Sequence, residues 1–218
     1  MEPSHLPKYS RDQIELIAAA KLQEAFPQSL SIPVDIDLVA EKQSVVDTIY
    51  LLPELQKKFN VAAVTTSKPN KKCDIILDEN TNSVNRRRAN FSLAHELGHI
   101  VLHESLYLDC HTMQESIELS KRLKKSYKSI ERNANYFAGA ILIPRRTIFK
   151  DIEKIYNAIL TGYAGDIGWN EVMPLLYSSL ANRYQVSVKT MTIRLEQLKI
   201  DRHINKAFVN KLNYIPWD

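Results

Sequence analysis

A chain of 218 residues with a hydrophobic fraction of 44% and a charged fraction of 25% has the balance of a soluble globular protein. That balance excludes disorder, collagen and coiled coil, and the length suffices to bury a core without disulfide staples. The formal charge of +4 and pI near 8.9 fall short of the positive field of a dedicated nucleic-acid binder, so a DNA-bound or acidic partner is allowed without being indicated.

Only 5 glycines argue against a Gly-rich all-β protein. No apolar run reaches the length of a membrane span, and Met1 to Gln13 carries Pro, His, Lys, Arg and Asp where a signal peptide needs an apolar core. The expectation is a cytoplasmic protein with no membrane partner. Cys73 and Cys110 are too few for a disulfide framework and read as packed or idle thiols.

The first helix is predicted over Arg11 to Phe26, with Ile14, Leu16, Ile17, Leu22, Ala25 and Phe26 as its stripe and Pro27 as its stop. Pro33 to Ala40 reads as a second, short helix whose acidic residues sit in the first turn, where the helix dipole favours them. Val61 to Thr66 and Cys73 to Glu79 read as the strands of a hairpin joined by the charged turn Ser67 to Lys72. The second strand would offer an edge that an extended peptide can join.

A helix follows from about Val84 to Glu104, with Asn82 or Ser83 as candidate N-cap and Phe91, Ala94, Leu97, Gly98 and Val101 on one side. Ser116 to Lys128, crowded with Lys and Arg, reads as a solvated face or loop. Ile130 to Ile143 is a helix with a core stripe of Ile130, Ala134, Phe137, Ala138, Ile141 and Leu142, stopped by Pro144. The remainder is mostly helical, with an interruption around Thr161 to Gly168. Within it, Leu180 to Tyr184, a turn at Gln185-Val186-Ser187 and Val188 to Leu198 have a helix-turn-helix form with Ser187 as N-cap. No internal repeat is present, which excludes a solenoid.

The chemistry sits in His95-Glu96-Leu97-Gly98-His99. Residues four apart on a helix share a face, so His95 and His99 can both aim a ring nitrogen at one zinc ion (Zn2+), with bonds of about 2.0–2.1 Å. Glu96 lies beside the ion, where it can take a proton from an activated water and pass it to a leaving amine. Gly98 leaves room for close backbone packing beneath the metal.

A catalytic zinc wants a third protein ligand, and three sources compete. His103 lies eight residues after His95, roughly 12 Å along the axis, too far for one ion to reach all three histidines. Cys110 with His111 would make a closed structural site. Glu131 opens a helix whose stripe demands burial, and packing against the motif helix would bring its carboxylate to the ion; the plainer reading is a first-turn glutamate favoured by the dipole. Asn135, one turn on, could orient a ligand histidine. His103, His111 and Tyr136 are candidates for stabilising an oxyanion.

The block Arg86 to His103 (RRRANFSLAHELGHIVLH), followed by Glu131 to Pro144 (ERNANYFAGAILIP), resembles the ImmA/IrrE family of metallo-endopeptidases. Looser landmarks extend the resemblance to roughly residues 30 to 200: Pro33-Val34-Asp35 with Leu38 and Ala40 upstream, Val186-Ser187 with Arg194-Leu195 downstream. The resemblance implies His95, His99 and Glu131 as zinc ligands and Glu96 as the catalytic carboxylate. It also implies a protein substrate, a helix-turn-helix repressor of a mobile element or stress response.

The expected fold is α+β: a zincin-like metallopeptidase core over residues 1–146, with a small β-sheet packed on the motif helix, and a mostly helical, helix-turn-helix-like part over 147–218. Two other functions compete with the peptidase. One is a non-enzymatic metal-containing regulator that binds DNA through Leu180 to Leu198, although only Lys189, Arg194 and Lys199 are at hand to neutralise phosphate. The other is an antitoxin-type protein that holds its partner without cutting it.

Overall fold

In the computed structural model, which describes residues 7–126, 128–163, 167–210, 212, 215 and 217, Ser10 opens helix α1 (Arg11–Ala25) with a capping box. Its hydroxyl accepts from the Gln13 amide at 3.2 Å, while its own amide donates to the Gln13 side chain at 2.8 Å. The buried face is Ile14, Ala18, Leu22 and Ala25. Leu16, expected on that face, is 72% exposed, because the 3.6-residue period gives the place to Ala18. Asp35 then caps the short helix α2 (Ile36–Glu41) through the Leu38 amide.

The chain divides into two compact units, Met1–Leu142 and Ile143–Asp218. In the first, strand β1 (Val46–Leu52), helix α3 (Leu55–Phe59) and strands β2 (Ala63–Ser67) and β3 (Cys73–Asp78) build a three-stranded sheet of order β1-β3-β2. The expected hairpin is there: β2 runs antiparallel to β3, with Ala63 opposite Leu77 and Ser67 opposite Cys73. Strand β1, which the sequence reading does not contain, pairs in parallel on the other side of β3. Strand β3 is therefore interior, with both of its hydrogen-bonding edges occupied, and it cannot be the edge that an extended peptide joins.

Asp78 ends β3 and caps a helical turn, α4 (Glu79–Val84). The chain breaks for one residue, and Asn85 caps the long helix α5 (Arg86–His103) by accepting from the Arg88 amide at 3.1 Å. The motif helix thus starts later than expected, with Asn85 in place of Asn82 or Ser83 as its cap, and Val84 is left 88% exposed.

Beyond a 3-10 turn at Glu104–Leu106, the basic segment is a solvated face, as one of its two readings has it, and not a loop. It forms helix α6 (Met113–Ser126), with Ile117 and Leu123 fully buried and Lys121 and Arg122 facing solvent. Ile117 packs with Leu55, Val61 and Val64, and Leu119 and Leu123 with Tyr107, Cys110 and Ile130. Helix α7 (Lys128–Leu142) buries the expected stripe from Ile130 to Leu142.

The second unit is helical among the described residues: α8 (Arg145–Gly162), α9 (Trp169–Tyr184), α10 (Val188–Gln197) and α11 (Asp201–Val209). Gln185 takes a left-handed conformation after α9, and Ser187 caps α10 through the Thr190 amide at 3.0 Å, the expected helix-turn-helix form. Arg194, counted in the sequence among three phosphate-reaching cations, is instead fully buried and donates to the Ile143 carbonyl. Residues 164–166 of the expected interruption, residue 127 of the basic stretch and residues 1–6 of the N-terminal stretch lie outside the described residues. Among the described helices none is long and apolar enough to cross a membrane.

Candidate metal centre

Helices α5 and α7 approach closely because small residues line their buried faces: Ala94 and Gly98 on one, Ala134 and Ala138 on the other. A Cβ at Gly98 would stand 3.1 Å from the Ala134 carbonyl oxygen and 3.2 Å from its Cα. Glycine is what lets the two backbones meet there. The contact lies about one turn of α7 beyond Glu131, so it sets how far that carboxylate stands from the two histidines.

The result is a convergence of three bases. The Nε2 atoms of His95 and His99 are 3.0 Å apart. Glu131 brings Oε2 to 3.6 Å from His95 Nε2 and Oε1 to 3.3 Å from His99 Nε2. In a tetrahedron with bonds of about 2.0–2.1 Å, ligand atoms stand about 3.3–3.4 Å from one another. The three observed separations bracket that edge, and the donor set of two imidazoles and one carboxylate suits a divalent ion with one position left open. Among the described residues these three are the group of His, Cys, Asp and Glu placed to hold a metal.

Glu96, one residue past His95, is rotated by about 100° from it around the helix and points at the sheet instead. It is 7% exposed. Its Oε2 accepts a hydrogen bond from the Thr65 hydroxyl on β2 at 2.8 Å. Tyr107 closes another side, its ring 5.7 Å from that of His99. Burial, and then the charges of Glu96 and Glu131, push its hydroxyl well above the usual tyrosine range, so it stays protonated and remains a donor.

A cavity of about 290 Å3 opens over the group, lined by Ala62 and Ala63 of the β2 edge, Phe91 and Ser92 of α5, Ser120 of α6 and Asn135 of α7, together with His95, Glu96 and Glu131. Ser120 comes from the segment whose charge suggested a solvated face or loop. Neither Tyr107 nor Thr65 announces itself in sequence, since nothing in local spacing ties either to a helix elsewhere in the chain.

The other sequence candidates lie elsewhere. His103 is buried against the Tyr9 ring and is not one of the three converging bases; burial, and then the charge of His99, push its imidazole down to about 4. Cys110 sits in the apolar cluster with its thiol toward the Leu106 carbonyl. His111 meets Ser67 at the end of β2, 3.2 Å from its hydroxyl. The Tyr136 hydroxyl donates to Glu15 on α1 at 2.8 Å, which removes it from the oxyanion candidates. Asn135 reaches the cavity, but its side-chain amide donates to the Glu131 carbonyl of its own helix and bonds neither histidine. The backbone one turn earlier satisfies it first, so it does not orient a ligand ring.

No curated protein matches the chain. A peptidase family, Peptidase_M78, described as the IrrE N-terminal-like domain, matches residues 46–196, from β1 through almost all of α10. That match spans both helices of the three-base group and most of the chain. The chain therefore belongs to the ImmA/IrrE family of peptidases.

Proposed function

We propose that the chain is a zinc-dependent endopeptidase with a zincin-like core, in which His95, His99 and Glu131 are the metal ligands and Glu96 is the general base. The observation that carries this reading is the convergence of three bases at separations of 3.0, 3.3 and 3.6 Å, with a fourth, non-ligating carboxylate beside them. A bound Zn2+ supplies Lewis acidity there, acidifying water and polarising a carbonyl. Glu96 takes the proton from the attacking water and returns it to the leaving amine, so that the peptide bond breaks without a charged amide anion. Tyr136, whose hydroxyl is bonded to Glu15, and His103, packed on the Tyr9 ring, are not at hand for the developing oxyanion.

The substrate track follows from the hairpin register. The Asp78 amide donates to the Ala62 carbonyl and the Lys68 amide to the Lys72 carbonyl. By the alternation of an antiparallel pair, the peptide groups of Ala63 and Thr65 therefore face away from β3. The outward Ser67 amide is already bonded to the Cys110 carbonyl at 2.7 Å. An extended peptide thus docks at the Ala63 end of β2, where the cavity opens.

The choice of a helix-turn-helix repressor as substrate rests on the family resemblance, and such a substrate implies work in the cytoplasm. The test is to incubate the zinc-loaded protein with a panel of helix-turn-helix repressors and weigh the products by intact mass spectrometry. One specific cut, abolished by a chelator and restored by Zn2+, is expected. A repressor that stays whole while bound to the loaded protein would favour a partner-holding function instead.

A further inference from the structure

Thr65 is an odd residue for its place. It is 1% exposed, in a strand whose neighbours pack into the core, and its hydroxyl makes one side-chain hydrogen bond to a residue 31 positions away. The alternation of the strand explains the reach. Val64 turns toward the apolar cluster of Leu55, Val61 and Ile117, so Thr65 turns to the opposite face, where α5 lies. A slip of one residue in the register with β3 would replace the hydroxyl with a valine or move Thr66 into its place.

The partner is the one carboxylate of the site that is not a candidate ligand. A glutamate side chain has three free torsions, and a buried carboxylate without a donor is costly. A threonine hydroxyl is nearly fixed once its strand is fixed, because branching at Cβ stiffens the first torsion. Strand β3 pairs with β2 along its whole length and holds it.

We propose that Thr65 is a positioning residue: its hydroxyl holds Oε2 of Glu96 and so orients the carboxylate toward the cavity above His95 and Glu131. The proposal rests on the endopeptidase reading above. A hydroxyl that only satisfied its own bonding need would have no bearing on turnover once the strand is intact.

The test compares Thr65→Val, Thr65→Ala and Thr65→Ser in the zinc-loaded protein. Steady-state cleavage of a helix-turn-helix repressor from the panel above is the kinetic readout, and crystal structures are the readout that needs no substrate. Misplacement of a general base by a fraction of its reach lowers turnover by about 10- to 100-fold. That loss is expected in kcat for Thr65→Val and Thr65→Ala, with KM and bound zinc unchanged, and Thr65→Ser should lie within about threefold of the parent. In the crystals, the Glu96 carboxylate should leave its place in the first two variants and keep it in the third. Unchanged kcat in Thr65→Val, or a serine variant as impaired as the valine one, would overturn the proposal. So would a Glu96 carboxylate that stays in place without the hydroxyl. Should the parent protein cut nothing, the endopeptidase reading fails, and the crystal comparison still decides whether Thr65 orients Glu96.

Discussion

Glu96→Gln should keep the metal and lose about 100- to 10,000-fold of the cleavage rate, the span over which a positioned general base acts. The argument turns on geometry. Glu96 points to the sheet and bonds Thr65, whereas His95, His99 and Glu131 point at one another. The glutamine side chain keeps the shape of the glutamate and can still accept the Thr65 hydroxyl through its amide oxygen, so folding and ligand positions should be preserved. What it lacks is a basic oxygen to take a proton. Metal content, melting temperature and cleavage rate, measured on the same preparation, check this. A variant with normal metal and normal cleavage would remove Glu96 from the chemistry; one that lost its metal would place the residue among the ligands.

Gly98→Ala should weaken the site from beneath. Helix propensity favours alanine by about 0.8–1.0 kcal/mol. Against that gain, the new Cβ would lie 3.0 Å from Phe137 Cδ1, which a ring can relieve, but also 3.1 Å from the Ala134 carbonyl oxygen, which a helix backbone cannot. Overpacking of this kind costs about 1–3 kcal/mol, so it wins or breaks even in stability. The clearer signal is in the metal. Pushing α7 from α5 carries Glu131 away from the Nε2 atoms of His95 and His99, and losses of groups that only orient ligands weaken metal binding by about 10- to 100-fold. Calorimetric zinc titration beside thermal melting reads both effects. A higher melting temperature with undiminished zinc affinity would mean that the helices have slack at this contact.

The features legible in the sequence are those written at short range. The 3.6-residue stripe and Pro144 mark α7, the β-branched flanks of a charged turn mark the hairpin, and the four-residue spacing of His95 and His99 puts both on one face of α5. Glu131 is visible as a helix-opening residue, but its meeting with the histidines depends on α5 and α7 packing at Gly98, which spacing alone does not specify. Strand β1 escapes because its apolar run, Ile49 to Leu52, is too short to tell a strand from a helix, and its edge position leaves Tyr50 and Leu51 half-exposed.

In α6 the buried residues Ile117, Leu119 and Leu123 are diluted by lysine and arginine on the solvent side, and charge hides the helix. The single residue between α4 and α5 defeats the cap assignment: Asn82 and Ser83 are plausible caps by type, but Asn85 is the one whose oxygen meets the Arg88 amide. The Thr65 to Glu96 bond joins a strand to a helix across 31 residues, and no periodicity carries such information.

The most direct measurement is the zinc content of the purified protein and of His99→Ala and Glu131→Gln, by elemental mass spectrometry after dialysis against a weak chelator. One zinc per chain is expected in the parent, with loss in both variants, since each removes one of three candidate ligands whose atoms lie within 4.8 Å of one another. Zinc retained undiminished by both variants, or a parent that binds none from a zinc-containing buffer, would contradict a metal centre at His95, His99 and Glu131.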